Sequence, residues 1–235
     1  MLCLCDYRTP KDVLSSLKEK GFETVFMPAD PSLPDPVNGH VDLILFSHNK
    51  EVTVRTEYYE SNRELFDKIC EKGNLSKILS NSLAGKKYPF DCGLCVAVSG
   101  NSFLFCDNSS DKSLRNRFEA LGYKTVSLPQ GYVKCSCALL ADGAIITADQ
   151  GIARITKAEG IDTLLITPGF VDLPGYDYGF IGGASGLCGD TLYFCGNLEL
   201  HPDCEAIRKF ASEHGTKCIS LGENKLYDVG SLIFI

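Results

Sequence analysis

One recurring unit constrains this chain more than anything else in it: a strand, a hairpin turn, a second strand, a helix closed by glycine, and a third strand. The clearest copy runs from Tyr132 to Pro168. Cys135–Leu140 reads as an apolar strand, Asp142-Gly143 as a turn, and Ala144–Ala148 as the second strand. A polar helix then ends at Gly160, and Thr163–Thr167 is a third strand stopped by Pro168. Asp-Gly between two β-rich runs is a strong hairpin signal, because a two-residue loop takes positive φ at both positions. A glycine suits the left-handed residue that ends a helix.

Four further copies follow from the same signals. In the first, Leu2–Cys5 is a strand, Thr9-Pro10 caps and opens a helix running to Gly21, and Phe22–Met27 is the closing strand. After a loop over 28–39 with four prolines come strand Val41–Phe46, a turn near Ser47–Lys50 and strand Val52–Arg55. Ser61-Asn-Arg-Glu64 has the pattern of a capping box, its helix closes at Gly73, and Leu75–Leu79 returns as a strand. The third copy has strands Gly93–Val98 and Phe103–Cys106, a helix from Ser110 to Gly122, and strand Tyr123–Leu128. The fifth has strands Gly182–Cys188 and Thr191–Cys195, a helix opening at His201-Pro202 and closing at Gly215, and strand Lys217–Leu221.

The helix-closing glycines at 21, 73, 122, 160 and 215 are spaced by 38 to 55 residues. The first unit has no leading strand, whereas Leu226–Ile235 is a strand with no hairpin partner. Pairing these two closes a ring, and self-similarity with split terminal units is the signature of a propeller. The expected fold is an α/β propeller of five pseudo-symmetric ββαβ units around an axis, filling residues 1–235 as a single domain.

Charge and composition narrow the function. With 23 basic and 30 acidic residues, a net charge of −7 and no basic cluster, a nucleic-acid partner is not expected. The apolar runs, such as Leu43–Phe46, are strand-sized, and no membrane partner is expected. Met1-Leu-Cys-Leu-Cys-Asp6 lacks the basic start and long apolar core of a secretory signal, so the chain reads as cytoplasmic and its twelve cysteines as free thiols. No C-x2-C pair is matched by another and no H-x3-H occurs, so no metal and no cofactor are expected from spacing.

The starts of the leading strands should crowd the axis. They are His40-Val-Asp42, Asp91-Cys92-Gly93, Tyr132-Val-Lys134, Gly182-Gly183 and Asp228-Val-Gly-Ser231. Polar groups opening apolar strands need partners, since burying them alone is costly. Two readings stay open: a structural network holding Asp42, Lys134 and Asp228 together, or a pocket for a small polar ligand. The candidate ligand-binding residues are His40, Asp42, Asp91, Cys92, Tyr132, Lys134, Cys135, Gly182, Gly183, Asp228 and Ser231. Asp42 and Lys134 should meet although 92 residues separate them. Lys134 beside Cys135 would lower that thiol's pKa, yet strand alternation turns the two side chains apart. Gly182-Gly183 lacks the helix and Lys-Ser of a phosphate loop and suits close backbone approach instead. Asp177-Tyr178 is placed to lean over such a pocket as a lid, and His201 is a helix cap.

This repeat is similar to the pentein fold of the guanidino-group-modifying enzymes, which include amidinotransferases, arginine deiminases and dimethylarginine hydrolases. That resemblance implies a polar core along the pseudo-axis and a guanidino or amino-acid-like ligand. It also implies a histidine in a segment like His-Leu-Lys at the start of the fourth unit, where this chain has Tyr132-Val133-Lys134. The cysteine nucleophile implied near the C-terminal strand has no counterpart in Tyr227-Asp228-Val229-Gly230-Ser231. The chain therefore resembles an uncharacterised bacterial branch without the usual Cys/His pair, for which ordinary arginine-hydrolase chemistry is not expected. The ribosomal anti-association factor has a similar propeller without catalysis, so a protein-interaction module is the alternative.

Overall fold

The computed structural model describes residues 1–82 and 84–235. The chain opens with β1 (Leu2–Asp6), α1 (Lys11–Glu19) and β2 (Glu23–Met27). It continues through α2 (Val41–Ile44), β3 (Leu45–His48), β4 (Glu51–Arg55), α3 (Thr56–Ser61), α4 (Arg63–Gly73) and β5 (Ser76–Ser80). Next come β6 (Ala97–Ser99), β7 (Ser102–Phe105), α5 (Lys112–Ala120) and β8 (Lys124–Ser127). Then follow α6 (Val133–Ser136), β9 (Cys137–Leu139), β10 (Ile145–Thr147), α7 (Gln150–Ala158), β11 (Thr163–Leu165) and β12 (Val171–Asp172). The last elements are β13 (Ser185–Cys188), β14 (Thr191–Phe194), α8 (Cys204–Glu213), β15 (Lys217–Ser220), β16 (Leu226–Tyr227) and β17 (Ile233–Phe234).

Among the described residues the strands form five small three-stranded sheets and one two-stranded ribbon. Each three-stranded sheet has the same internal logic: its middle strand pairs antiparallel on one side and parallel on the other. The antiparallel partner is joined by a hairpin and the parallel one by a helix, as those geometries require. The exception is the first sheet, where β17 supplies the antiparallel partner of β1, with Cys3 opposite Phe234 and Leu4 opposite Ile233.

The helices pack through one short apolar stripe each. Val13 and Leu17 in α1, Leu114 and Phe118 in α5, and Ile207 and Ala211 in α8 are buried pairs four residues apart. Phe66, Phe103 and Phe194 are wholly buried, and each such side chain contributes about 1.5–3 kcal/mol relative to exposure. No helix among the described residues is long and apolar enough to cross a membrane.

Local expectations needed several corrections. Val41–Ile44 and Val133–Ser136, read as the starts of strands, are single helical turns: Leu45 N donates to Val41 O, and Ser136 N donates to Tyr132 O at 2.9 Å. Four apolar residues suit either conformation, and periodicity cannot separate them. β6 and β13 likewise begin later than expected, at Ala97 and Ser185. Leu226–Ile235 is two short strands broken by Gly230 and Ser231, at φ +65° and +69°. The first of these, β16, pairs with β12, a strand the sequence did not announce.

Thr9 does not cap α1; its hydroxyl donates to Asp6 O at 2.7 Å. Nor do Ser61 and Glu64 form a capping box, since Ser61 Oγ donates back to Glu57 O. Gly73 stays helical and Asn74 takes the left-handed position. Asp142-Gly143 is a longer turn in which only Gly143 has positive φ; the two-residue hairpin with both φ positive is Asn49-Lys50.

Candidate functional site

The segments ahead of the antiparallel outer strands converge. Asp42 N donates to Gly230 O at 3.0 Å, Gly183 N to Cys135 O at 2.8 Å, and Ser231 N to Gly183 O at 2.8 Å. Glycines make this approach feasible: a Cβ on Gly183 would overlap Asp228 Oδ1, and one on Gly182 would overlap the carbonyl oxygens of Lys134, Cys135 and Cys137. The sequence reading of that pair, close backbone approach, matches this geometry.

The polar groups brought together interlock, all buried except the half-buried Lys134. Ser231 Oγ donates to Asp42 Oδ2 at 2.6 Å and accepts from Lys134 Nζ at 2.9 Å. Lys134 Nζ also lies 3.3 Å from Gly182 O. Asp42 and Lys134 thus meet through a serine hydroxyl rather than directly. Cys135 Sγ donates to the same Asp42 oxygen at 3.1 Å, and Cys95 Sγ lies 3.7 Å beyond it. Asp228 accepts from Phe180 N at 2.8 Å and Gly230 N at 2.9 Å, and its Oδ1 is 3.8 Å from His40 Nδ1. Asp42 Oδ1 is buried and has no hydrogen-bond partner.

Electrostatics at the cluster follow burial first. Desolvation raises the Asp228 carboxyl above the ordinary value; His40 opposes this and Asp42 adds to it. The Cys135 thiol is held well above its usual range, first by burial and then by its hydrogen bond with Cys95 and the charge of Asp42. Lys134 does not act on Cys135 as sequence adjacency suggested; its charge instead opposes the burial that pushes Cys137 up to about 12. The alternation argument also fails here, because α6 is a helical turn, and Cys135 points into the cluster beside Asp42.

Asp42 and Lys134 help to line a cavity of about 270 Å3, walled by Leu45, Phe46, Leu94 and Leu232 among others. The expected residues Asp91, Cys92 and Tyr132 belong to a neighbouring set of contacts. There the Tyr132 hydroxyl donates to Asp91 Oδ2, its ring packs on Tyr88 and Phe180, and Cys92 Sγ donates to Pro89 O. Burial and then Asp91 push the Tyr132 phenol far up. Asp177 and Tyr178 do not cover the Asp42 cavity as a lid would; with Ser136 and Tyr176 they line a separate cavity of about 340 Å3. His201 Nδ1 accepts from Asp203 N at 3.0 Å, but the N-cap of α8 is Asp203 and no side chain caps it, so His201 is not the helix cap expected from the sequence.

Cys95 and Gly230 were missed by sequence reasoning. The sequence places Cys95 in the strand Gly93–Val98, whereas Cys95 N closes a turn onto Cys92 O. That turn aims Cys95 at Cys135, and nothing in the local sequence signals it.

Comparison with solved structures defines the class. A dimethylarginine dimethylaminohydrolase from Pseudomonas aeruginosa, complexed with citrulline, superposes with a TM-score of 0.57 at 9% identity, covering 94% of this chain and 91% of that one. C. jejuni agmatine deiminase gives 0.52 at 13% identity, over 94% and 86%. An amidinotransferase from Microseira wollei gives 0.54 at 9%, over 89% and 72%. This chain therefore has the pentein fold, an α/β fold of propeller type. No curated protein matches it by sequence. Residues 4–233 match the model described as "Family of unknown function (DUF6873)", and the chain belongs to that family.

Proposed function

We propose that this protein binds a small polar molecule, of guanidino or amino-acid-like chemistry, in the cavity that Asp42 and Lys134 help to line. One observation carries the reading: Asp42 Oδ1 is an unpartnered carboxylate oxygen on a residue 2% exposed, at the edge of an otherwise largely apolar cavity. A buried oxygen without a donor is costly, and a ligand N–H group would satisfy it. Lys134, three donors on a flexible stem, supplies the complementary contact for a ligand carboxylate or carbonyl. His40, Cys135, Gly182, Gly183, Asp228 and Ser231 then hold these two groups in place, while Asp91, Cys92 and Tyr132 support the adjoining wall. The proposal includes one domain of five pseudo-symmetric units, with this cluster on their common axis.

Binding without cysteine-based hydrolysis is the favoured version. The buried Cys135 thiol donates its proton to the Asp42 carboxylate, Tyr132 stands where the resemblance would put a histidine, and Tyr227–Ser231 holds no cysteine. Isothermal titration of the purified chain with arginine, agmatine, citrulline and methylated arginines tests the reading. Saturable binding of one of them, lost in both Asp42→Asn and Lys134→Met, is expected. No heat with any member, or binding indifferent to both substitutions, would refute it.

A further inference from the structure

His40 and Asp42 sit two residues apart and Cys135 lies 93 residues beyond Asp42, yet each of the three offers a ligand atom within 4.8 Å of the others, and all three are buried. We infer that these three side chains form a binding site for one divalent transition-metal ion of the zinc type, next to the cavity that Asp42 lines. The chemistry of the donor set selects the ion. An imidazole nitrogen, a carboxylate oxygen and a thiolate sulfur suit zinc or cobalt, while magnesium and calcium prefer oxygen alone.

The dimensions agree. Metal–ligand distances of about 2.0–2.3 Å in a tetrahedral site place ligand atoms roughly 3.3–3.8 Å apart. Cys135 Sγ and Asp42 Oδ2 are now 3.1 Å apart, sharing the proton that a metal would replace. The other separations need contract by no more than about 1 Å, which side-chain rotation supplies. A second observation points independently to a missing cation: Asp42 Oδ1 is the orphaned oxygen of the cluster. The site also carries two carboxyl groups, Asp42 and Asp228, against the single ammonium of Lys134. Asp228 Oδ1, 3.8 Å from His40 Nδ1, stands where it can accept the ring N–H when the other nitrogen binds metal, the usual orienting contact of a metal-bound histidine.

Three protein ligands leave a fourth position for water or a ligand atom. Binding displaces the Cys135 thiol proton to solvent, so each ion bound releases one proton and no electron moves. The inference goes beyond the small-molecule reading and does not depend on it. Empty, the site offers a ligand cation a carboxylate; filled, it offers a ligand carboxylate or carbonyl a positive point.

The probe is cobalt(II) alone, added to the full-length chain after chelator treatment under reducing conditions. One equivalent is expected to bind, with a thiolate-to-cobalt absorption band and intense visible bands of tetrahedral geometry, and zinc should displace it. Cys135→Ser should abolish the charge-transfer band, and His40→Asn should weaken affinity at least tenfold. Cys137→Ser, on the next residue pair but outside the cluster, should change neither. Should Cys135→Ser fail to unfold cooperatively, Asp42→Asn with the thiol intact gives the same affinity readout. No thiolate band, no bound equivalent, or His40 and Asp42 variants that bind as tightly as the parent would overturn the inference. Titration of guanidino ligands into the metal-free chain is a separate measurement, so failure of one reading is distinguishable from failure of the other.

Discussion

Replacing Lys134 by methionine tests whether the convergent cluster is a coupled unit. The 2.9 Å and 2.6 Å contacts that meet on Ser231 Oγ put the ammonium no more than about 5.5 Å from Asp42 Oδ2. At that separation an effective dielectric near 20 gives an attraction of about 3 kcal/mol. Methionine keeps the apolar stem but removes this attraction and the hydrogen bonds to Ser231 and Gly182, leaving two carboxyl groups facing each other without a cation. Packing of the substituted side chain offsets part of the loss, so a net destabilisation of about 2–3 kcal/mol is expected. Asp42→Asn alone should also destabilise, and the double variant should recover about 1–2 kcal/mol relative to the sum of the singles. Urea denaturation at pH 7, with slopes checked for equality across the four proteins, provides the measurement. A strictly additive cycle would refute the argument that these groups share one network. A Lys134→Met protein as stable as the parent would do so as well.

Three further outcomes follow from the same geometry. Removing residues 226–235 takes away β16 and β17 and exposes the edge of β1; the truncated chain should aggregate or lose its cooperative transition, and an unchanged thermal midpoint would refute the pairing argument. Gly183→Ala should cost about 3 kcal/mol or more because its methyl overlaps Asp228 Oδ1, whereas Gly160→Ala, at φ +82° with nothing within 4 Å, should cost only about 1–2 kcal/mol; equal losses in urea would contradict the close-approach reading. Burial lowers both His48 and His201 below the ordinary 6.5, so the unfolded chain takes up protons there before the native one does. Stability should hold above about pH 6.5 and fall as pH drops below it, with a shallower fall in His201→Gln; a urea midpoint that stays flat from pH 7 to 5 would rule this out.

Much of the fold was legible because its punctuation is local. Gly21, Gly122, Gly160 and Gly215 all take the left-handed conformation at helix ends that their position predicts. Asp111 and Asp149 cap α5 and α7 through their side chains, as short polar residues before a helix do. The pairing of β17 with β1 could be read from one orphan strand and one missing one. What failed was conformation over four residues: Val41–Ile44 and Val133–Ser136 satisfy a helical turn and a strand equally, and the tertiary junction decides between them. That error carried into the site. A strand would have turned Cys135 away from the cluster, whereas the turn directs it at Asp42. The grouping of His40, Asp42, Lys134 and Asp228 was visible as polar residues at equivalent places in the repeat. The part played by Cys95 was not, since its neighbour is forty residues away and no pattern links them.

The seam between β1 and β17 has a consequence for the order in which the molecule can be assembled. Every other three-stranded sheet draws its strands from one continuous stretch of chain and can form as soon as that stretch exists. The first sheet needs partners separated by almost the whole polypeptide, and closing that loop is entropically the most expensive step of the fold. On a ribosome adding about 5–20 residues per second, β1 waits roughly 10–45 s before Ile233 and Phe234 are made. During that interval Leu2, Cys3, Leu4 and Cys5, all 5% exposed or less in the finished protein, stand at an open edge. β1 is made long before the strand that covers it, and this edge is where a chaperone has most to protect.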